Sequence, residues 1–202
     1  QYTKDHICIA RLDAPSTKGN YVTYLMKKGG SFRIGHTQYR RDRQKARPGG
    51  GMLGPICRMK EQLGDAIWIL TVHETEHQAR EEEAWISWSS GIPTWSFPEV
   101  KNSPPRTPYF KSLWSRVGDL TEQAAACLEA HGRDIKYPFW DINSPQPTQR
   151  RPVAIRACNL LDGMLMCRPT AGRLKTHGDE SWFPATLERW PYIGPVYSIE
   201  VE

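Results

Sequence analysis

Residues Lys18 to Arg43 read KGNYVTYLMKKGGSFRIGHTQYRRDR, and the reading of this stretch decides the fold. Tyr21, Tyr24, Phe32 and Ile34 alternate with smaller or polar residues, the period of a half-buried strand pair. Lys27-Lys28-Gly29-Gly30 supplies the turn, because glycine reaches positive φ without steric cost. The second strand stops at Gly35. Beyond it Arg40, Arg41, Arg43, Lys45 and Arg47 are offset only by Asp42. A basic patch of this kind points to a polyanion, most simply nucleic acid, with a solvated surface as the plainer alternative.

Downstream of the patch, Arg47-Pro48-Gly49-Gly50-Gly51 reads as a connector, though its glycines could also let the backbone approach a phosphate. Gly54 to Leu63 reads as a helix with Pro55 in its first turn and a stripe of Ile56, Met59 and Leu63. Gly64 ends it. Asp65 to Val72, DAIWILTV, is too short for an ordinary helix and rich in β-formers, which makes it a central strand. Thr75 with Gln78 is a capping box opening a second helix, and Glu76 suits its N-terminal dipole. Ala79, Glu82, Glu83 and Ile86 fall on one face of it. A carboxylate on an apolar stripe is costly to bury unpaired and calls for a cation or metal partner, unless the triple glutamate is a solvated face. His73 and His77 flank the start of this helix and read as surface.

The order hairpin, arginine, helix, strand, glutamate helix resembles the GIY-YIG nuclease family over residues 18–97. Gly19-Asn20-Tyr21 stands at the first triplet, and Arg33-Ile34-Gly35 at the second, with Arg33 where the family has tyrosine. Arg43 stands eight residues after Gly35, at the family's arginine. The family's glutamate falls within Arg80-Glu81-Glu82-Glu83-Ala84-Trp85-Ile86. The resemblance implies a DNA endonuclease. Glu83 or Glu82 would be the ligand of Mg²⁺ (or Mn²⁺), with helical counting unable to choose between them. Tyr21 would orient the nucleophilic water, with Tyr24, on the opposite face, as back-up. Arg43 would bind the scissile phosphate, and His36, next to Gly35, would assist. Arg33, Arg40, Arg41, Lys45 and Arg47 would line the DNA. With Arg33 in the tyrosine's place, a catalytically degenerate nucleic-acid-binding module of the same fold is the alternative.

Around this core the chain reads as α+β in four parts: 1–17, 18–101, 102–150 and 151–202. His6 to Leu12 is a strand and Ala14-Pro15-Ser16-Thr17 a linker. Thr94-Trp95-Ser96-Phe97 reads as a short edge strand, Asn102 to Pro108 as a linker, and Ser112 to His131 as mostly helical, its buried stripe Leu120, Ala124, Cys127 and Leu128. Tyr137-Pro138-Phe139-Trp140 is an aromatic cluster that packs on a core or stacks bases. Asn143 to Thr148 is another linker. Val153 to Ala157 and Gly194 to Val201 read as strands, so the last part is β-rich. That part resembles the C-terminal portion of an intein's self-splicing (Hint) domain. It lacks the His-Asn end and N-terminal Cys or Ser that splicing needs. The resemblance implies a homing-type nuclease inserted between intein segments, or a scaffold without a nucleic-acid role.

With 202 residues and a net charge of +5, the chain can bury a sizeable core. Its five cysteines include no C-x-x-C pair, which disfavours a zinc knuckle or disulfide framework and points to reduced thiols. No apolar run approaches the roughly 20 residues of a membrane span, and no leader is visible. The expectation is a cytoplasmic monomer or weak dimer acting on double-stranded DNA.

Overall fold

The computed structural model describes residues 7–12, 20–41, 52–99, 107–144, 153–162, 164–167, 169–170, 173–174 and 182–184. Within them the chain is a mixed α+β fold with antiparallel sheets and four helices.

The alternation around the double glycine produces the hairpin. Strands β2 (Tyr21–Lys28) and β3 (Ser31–Gln38) pair in register from Tyr21 opposite Gln38 to Lys28 opposite Ser31. Gly29 takes φ +56° in the turn, and its N–H donates to Asp65 Oδ2 at 2.6 Å. Strand β6 (Ala66–His73) lies on the other side of β2, and β7 (Trp140–Asp141) completes a sheet of order β3-β2-β6-β7. A bulge between Thr23 and Tyr24 shifts the β2–β6 register, so that Tyr21 faces His73. The run AIWIL fills the interior, with Ile67, Trp68 and Ile69 at 0–2% exposure. Each such side chain contributes on the order of 1.5–3 kcal/mol by leaving water.

Helix α1 (Gly54–Glu61) follows the short β4 (Arg40–Arg41) and β5 (Met52–Leu53) ribbon. Ile56 and Met59 are buried as expected, but Leu63 is not. The helix ends two residues earlier, and Leu63 takes φ +50° and lies 47% exposed while the Gly64 N–H reaches back to Met59 O.

Helix α2 (Glu76–Ser90) begins with the expected capping box. The Thr75 side chain accepts from Gln78 N–H, and the Gln78 side chain accepts from Thr75 N–H. Gly91 closes the helix at φ +71°, a left-handed position where glycine is unstrained. Residues Thr94–Phe97 form no strand. The segment instead runs beside β3, where Ile34 N–H donates to Pro93 O and the Thr94 and Trp95 carbonyls accept from a buried arginine.

The stretch from Ser112 to His131, expected to be mostly helical, lies in two helices. Helix α3 (Thr107–Val117) starts inside the expected linker, and Gly118, at φ +77°, breaks it from α4 (Thr121–Ala130). Leu120, Ala124, Cys127 and Leu128 are buried as the stripe predicts. Phe139 and Trp140 are buried, and Tyr137 packs under Arg156, so this cluster serves the core.

Strand β1 (Ile7–Arg11) pairs with β8 (Val153–Arg156) and β9 (Leu165–Cys167), and β12 (Trp182–Pro184) completes the order β12-β9-β1-β8. Strands β10 (Pro169–Thr170) and β11 (Arg173–Leu174) form a separate ribbon. Residues expected in the first and last parts of the chain therefore share one sheet. Tyr39 Oη donating to Leu12 O and Trp68 Nε1 donating to Asp134 O tie this layer and the helical segment to the hairpin sheet over one continuous core. The five cysteines are buried thiols. The expected strand at Gly194–Val201 lies outside the described residues, and so do the linkers at 14–17, 102–106 and 145–148. Among the described residues no helix is long and apolar enough to cross a membrane.

Candidate functional site

Strand alternation sorts the hairpin residues onto two faces. Tyr21, Thr23, His36 and Gln38 share one with Thr71 and His73 of β6, since directly paired residues point the same way. Helix α2 packs on this face, where Thr23 Oγ1 donates to Ala79 O at 3.1 Å. Four residues further along, Glu83 meets the hairpin. Its Oε2 lies 2.5 Å from His36 Nδ1, and the two side chains are 17% and 22% exposed. A carboxylate only accepts, so Nδ1 carries the proton. The other ring nitrogen, Nε2, lies 3.7 Å from Glu76 Oε1. Glu76 also receives Arg80 at 2.7 Å, one turn along the helix.

Beside this pair a second polar group extends across the sheet. His73 Nε2 lies 2.8 Å from Thr71 Oγ1 and 3.3 Å from Thr23 Oγ1. Burial lowers the tendency of His73 to protonate, and the charge of Glu82 partly opposes that. Tyr21, half-buried, sits between Gln38 and His73 in the cross-strand register. The outer part of the face thus carries a phenol, two imidazoles, two threonines and the carboxylates of Glu76 and Glu83. Together they can hold a water and accept its proton, while among the described residues no group of three or more His, Cys, Asp or Glu is placed to hold a metal ion.

The two glutamates that helical counting could not separate are separated by packing. Glu83 turns to the hairpin. Glu82 instead lines a groove with His73, Trp85 and Trp88, so the two carboxylates do not share one position. Tyr24 and Arg33 are corrections of a different kind. Tyr24 lies on the opposite face, 2% exposed, with its ring over Gly35, where a β-carbon would collide with it. Arg33 is 8% exposed. Its Nε donates to Trp95 O at 2.8 Å, Nη2 to Thr94 O at 2.6 Å, and Nη1 to Tyr24 Oη at 3.1 Å. Neither reaches a surface that DNA could touch. Tyr24 is therefore not a back-up for the water-orienting phenol, and Arg33 is a structural clamp.

Of the basic run, Arg40 is half-buried in β4, and only the backbone of Arg41 is described. Arg43, Lys45 and Arg47 lie outside the described residues. His77 is exposed, as expected. Sequence reasoning missed His73, Thr23 and Glu76. The signal for Thr23 was its even spacing from Tyr21. The one for His73 was hidden by the β2–β6 bulge, which no pattern in the residues announces.

No protein-family model matches the chain, and searches of curated proteins and of solved structures return no match either.

Proposed function

We propose that the hairpin, α1, β6 and α2 form a GIY-YIG-like nuclease module that hydrolyses DNA phosphodiester bonds. The observation that supports this most is the meeting of Glu83, from the glutamate helix, with His36 at the end of the second hairpin strand. Tyr21 shares their face. The succession β2, β3, α1, β6 and α2 along the chain lends this reading further support.

Among the described residues, only Oε2 of Glu83 has a protein partner. The second carboxylate oxygen suits a hard divalent cation, which takes few protein oxygens and keeps most of its waters. Glu83 is the residue that would hold Mg²⁺ or Mn²⁺, and such an ion, when bound, supplies Lewis-acid activation of water and neutralises developing charge. His36 fixes the carboxylate through Nδ1–H. Tyr21 presents a phenol that can orient a water by accepting or donating a hydrogen bond. Arg43, eight residues after Gly35, would grip the phosphate through its fork of donors. We further propose that the module is of homing type, an insert within an intein. The return of β1 to pair with β8 and β9 supports this, because it brackets the module between strands of a second sheet.

A catalytically degenerate DNA-binding module of the same fold is favoured by one observation. Arg33, at the second triplet's tyrosine position, is wholly engaged by two carbonyls and Tyr24. Nicking of supercoiled plasmid at low salt, in Mg²⁺ or Mn²⁺, separates the two readings. The nuclease reading expects Glu83→Gln to lower the rate about 10²- to 10⁴-fold and Glu82→Gln to change it less than about threefold. Absence of cleavage with salt-sensitive DNA binding retained, or a Glu83→Gln protein as active as the parent, overturns it.

A further inference from the structure

On α2, beside the end of β6, Trp85 and Trp88 are 59% and 76% exposed. Their rings lie 5.3 Å apart between centroids and are tilted by 35°. They form one wall of an open groove of about 700 Å³ that His73, Gln78, Glu81 and Glu82 also line. A tryptophan ring can bury roughly 150–250 Å². Two left in water side by side, with a polar rim, mark an interaction surface rather than a stray exposed residue.

The lining determines what can fill it. It carries two carboxylates and neither lysine nor arginine. The nearest basic residue on the helix, Arg80, is drawn to Glu76 on another side. Burial disfavours the charged form of His73. A phosphate backbone would meet like charge here. A wholly apolar helix would bury Glu81 and Glu82 without partners, which is costly. A guanidinium satisfies both features, since its plane stacks on indole and its N–H fork matches a carboxylate. We propose that this groove docks an arginine-rich peptide segment of a partner protein, with an arginine laid on the Trp85–Trp88 pair and bonded to Glu81 or Glu82. This is independent of phosphodiester cleavage, and its failure would leave the plasmid test untouched.

The full chain is titrated calorimetrically with capped hexa-arginine, hexalysine and a thymidine hexanucleotide, while the indole N–H resonances of its eight tryptophans are followed by NMR. Hexa-arginine is expected to bind at micromolar concentration, and hexalysine about tenfold more weakly because it lacks the planar face. The resonances that move are expected to be the two missing from Trp85→Ala and Trp88→Ala proteins. Each of these variants, and the Glu81→Gln/Glu82→Gln pair, should weaken binding about tenfold. All four side chains are at least partly exposed, so the variants should keep the fold, which circular dichroism checks. Unchanged affinity in the variants, equal affinity for hexalysine, or no binding below millimolar concentration overturns the proposal. Movement of the same two indoles by the oligonucleotide overturns it in favour of base stacking. Movement with protein concentration alone overturns it in favour of a second copy of this chain.

Discussion

The two faces of the β3-β2-β6 sheet hold similar side chains in opposite conditions. On one, Tyr24 and Arg33 bring a phenol and a guanidinium together under the segment at residues 93–97, and every donor of theirs that the contacts record ends on a carbonyl or on the other partner. On the other, His36 and Glu83 bring an imidazole and a carboxylate together at a half-open edge, with the Tyr21 phenol on the same face. The first arrangement is saturated and sealed, so it stabilises the fold. The second keeps one carboxylate oxygen of Glu83 without a protein partner among the described residues. Residue type does not tell a site from a clamp. Satisfaction of donors and access do.

That contrast breaks most visibly at Arg33. Its removal would leave the Thr94 and Trp95 carbonyls and the Tyr24 hydroxyl without their donor in the interior, and truncating one partner of such a buried polar cluster costs about 3–5 kcal/mol. Urea denaturation of Arg33→Ala should show a loss of that size, with Arg33→Lys only partly restoring stability because an ammonium cannot reproduce the fork. A loss under about 1 kcal/mol would mean that the clamp is ornamental and that Arg33 is available for some other role.

Much of this was legible in the residues. Period-2 alternation with a double glycine gave β2 and β3, a capping box gave the start of α2 at Thr75, and the apolar run gave β6. Even the parity was readable, since Tyr21 and Tyr24 differ by an odd number and must face opposite ways. Which face stays open was not readable, because a segment some sixty residues downstream decides it by covering Tyr24 and Arg33. The choice between Glu82 and Glu83 also depends on how α2 is rotated over the sheet, a tertiary fact. Leu63 and Gly118 show the same limit at helix ends: periodicity continues through both, and the backbone does not.

A second substitution tests the sealed face from the other side. The Tyr24 ring lies on Gly35, so a methyl group there must displace it. Gly35→Ala should cost about 1–3 kcal/mol, typical of overpacking. Because the cost comes from the ring, Tyr24→Leu with Gly35→Ala should be less destabilised than the sum of the two single changes, a coupling of about 0.5–3 kcal/mol in a double-mutant cycle. Additive effects would place the strain in the backbone of β3 instead.

The smallest expected effect belongs to the open face and concerns pH. Burial holds the His73 pKa below its ordinary value of 6.5, so the unfolded chain binds this proton more readily than the folded one. Stability therefore rises with pH across the window between the two values. The contribution is fully present above about 6.5 and is lost as the pH falls toward the folded-state value. His73→Gln, which keeps a hydrogen-bonding group beside Thr71 and Thr23, should remove this part of the slope. Subtracting the stability profiles of the two proteins between pH 8 and pH 5 isolates it from the other titrating groups. Glu82 sharpens the test, because its charge favours the protonated imidazole and so works against the depression. Glu82→Gln should make the loss toward acid steeper. Identical slopes with and without that carboxylate would show that the groove side of His73 is screened by water and that only its contacts within the sheet matter.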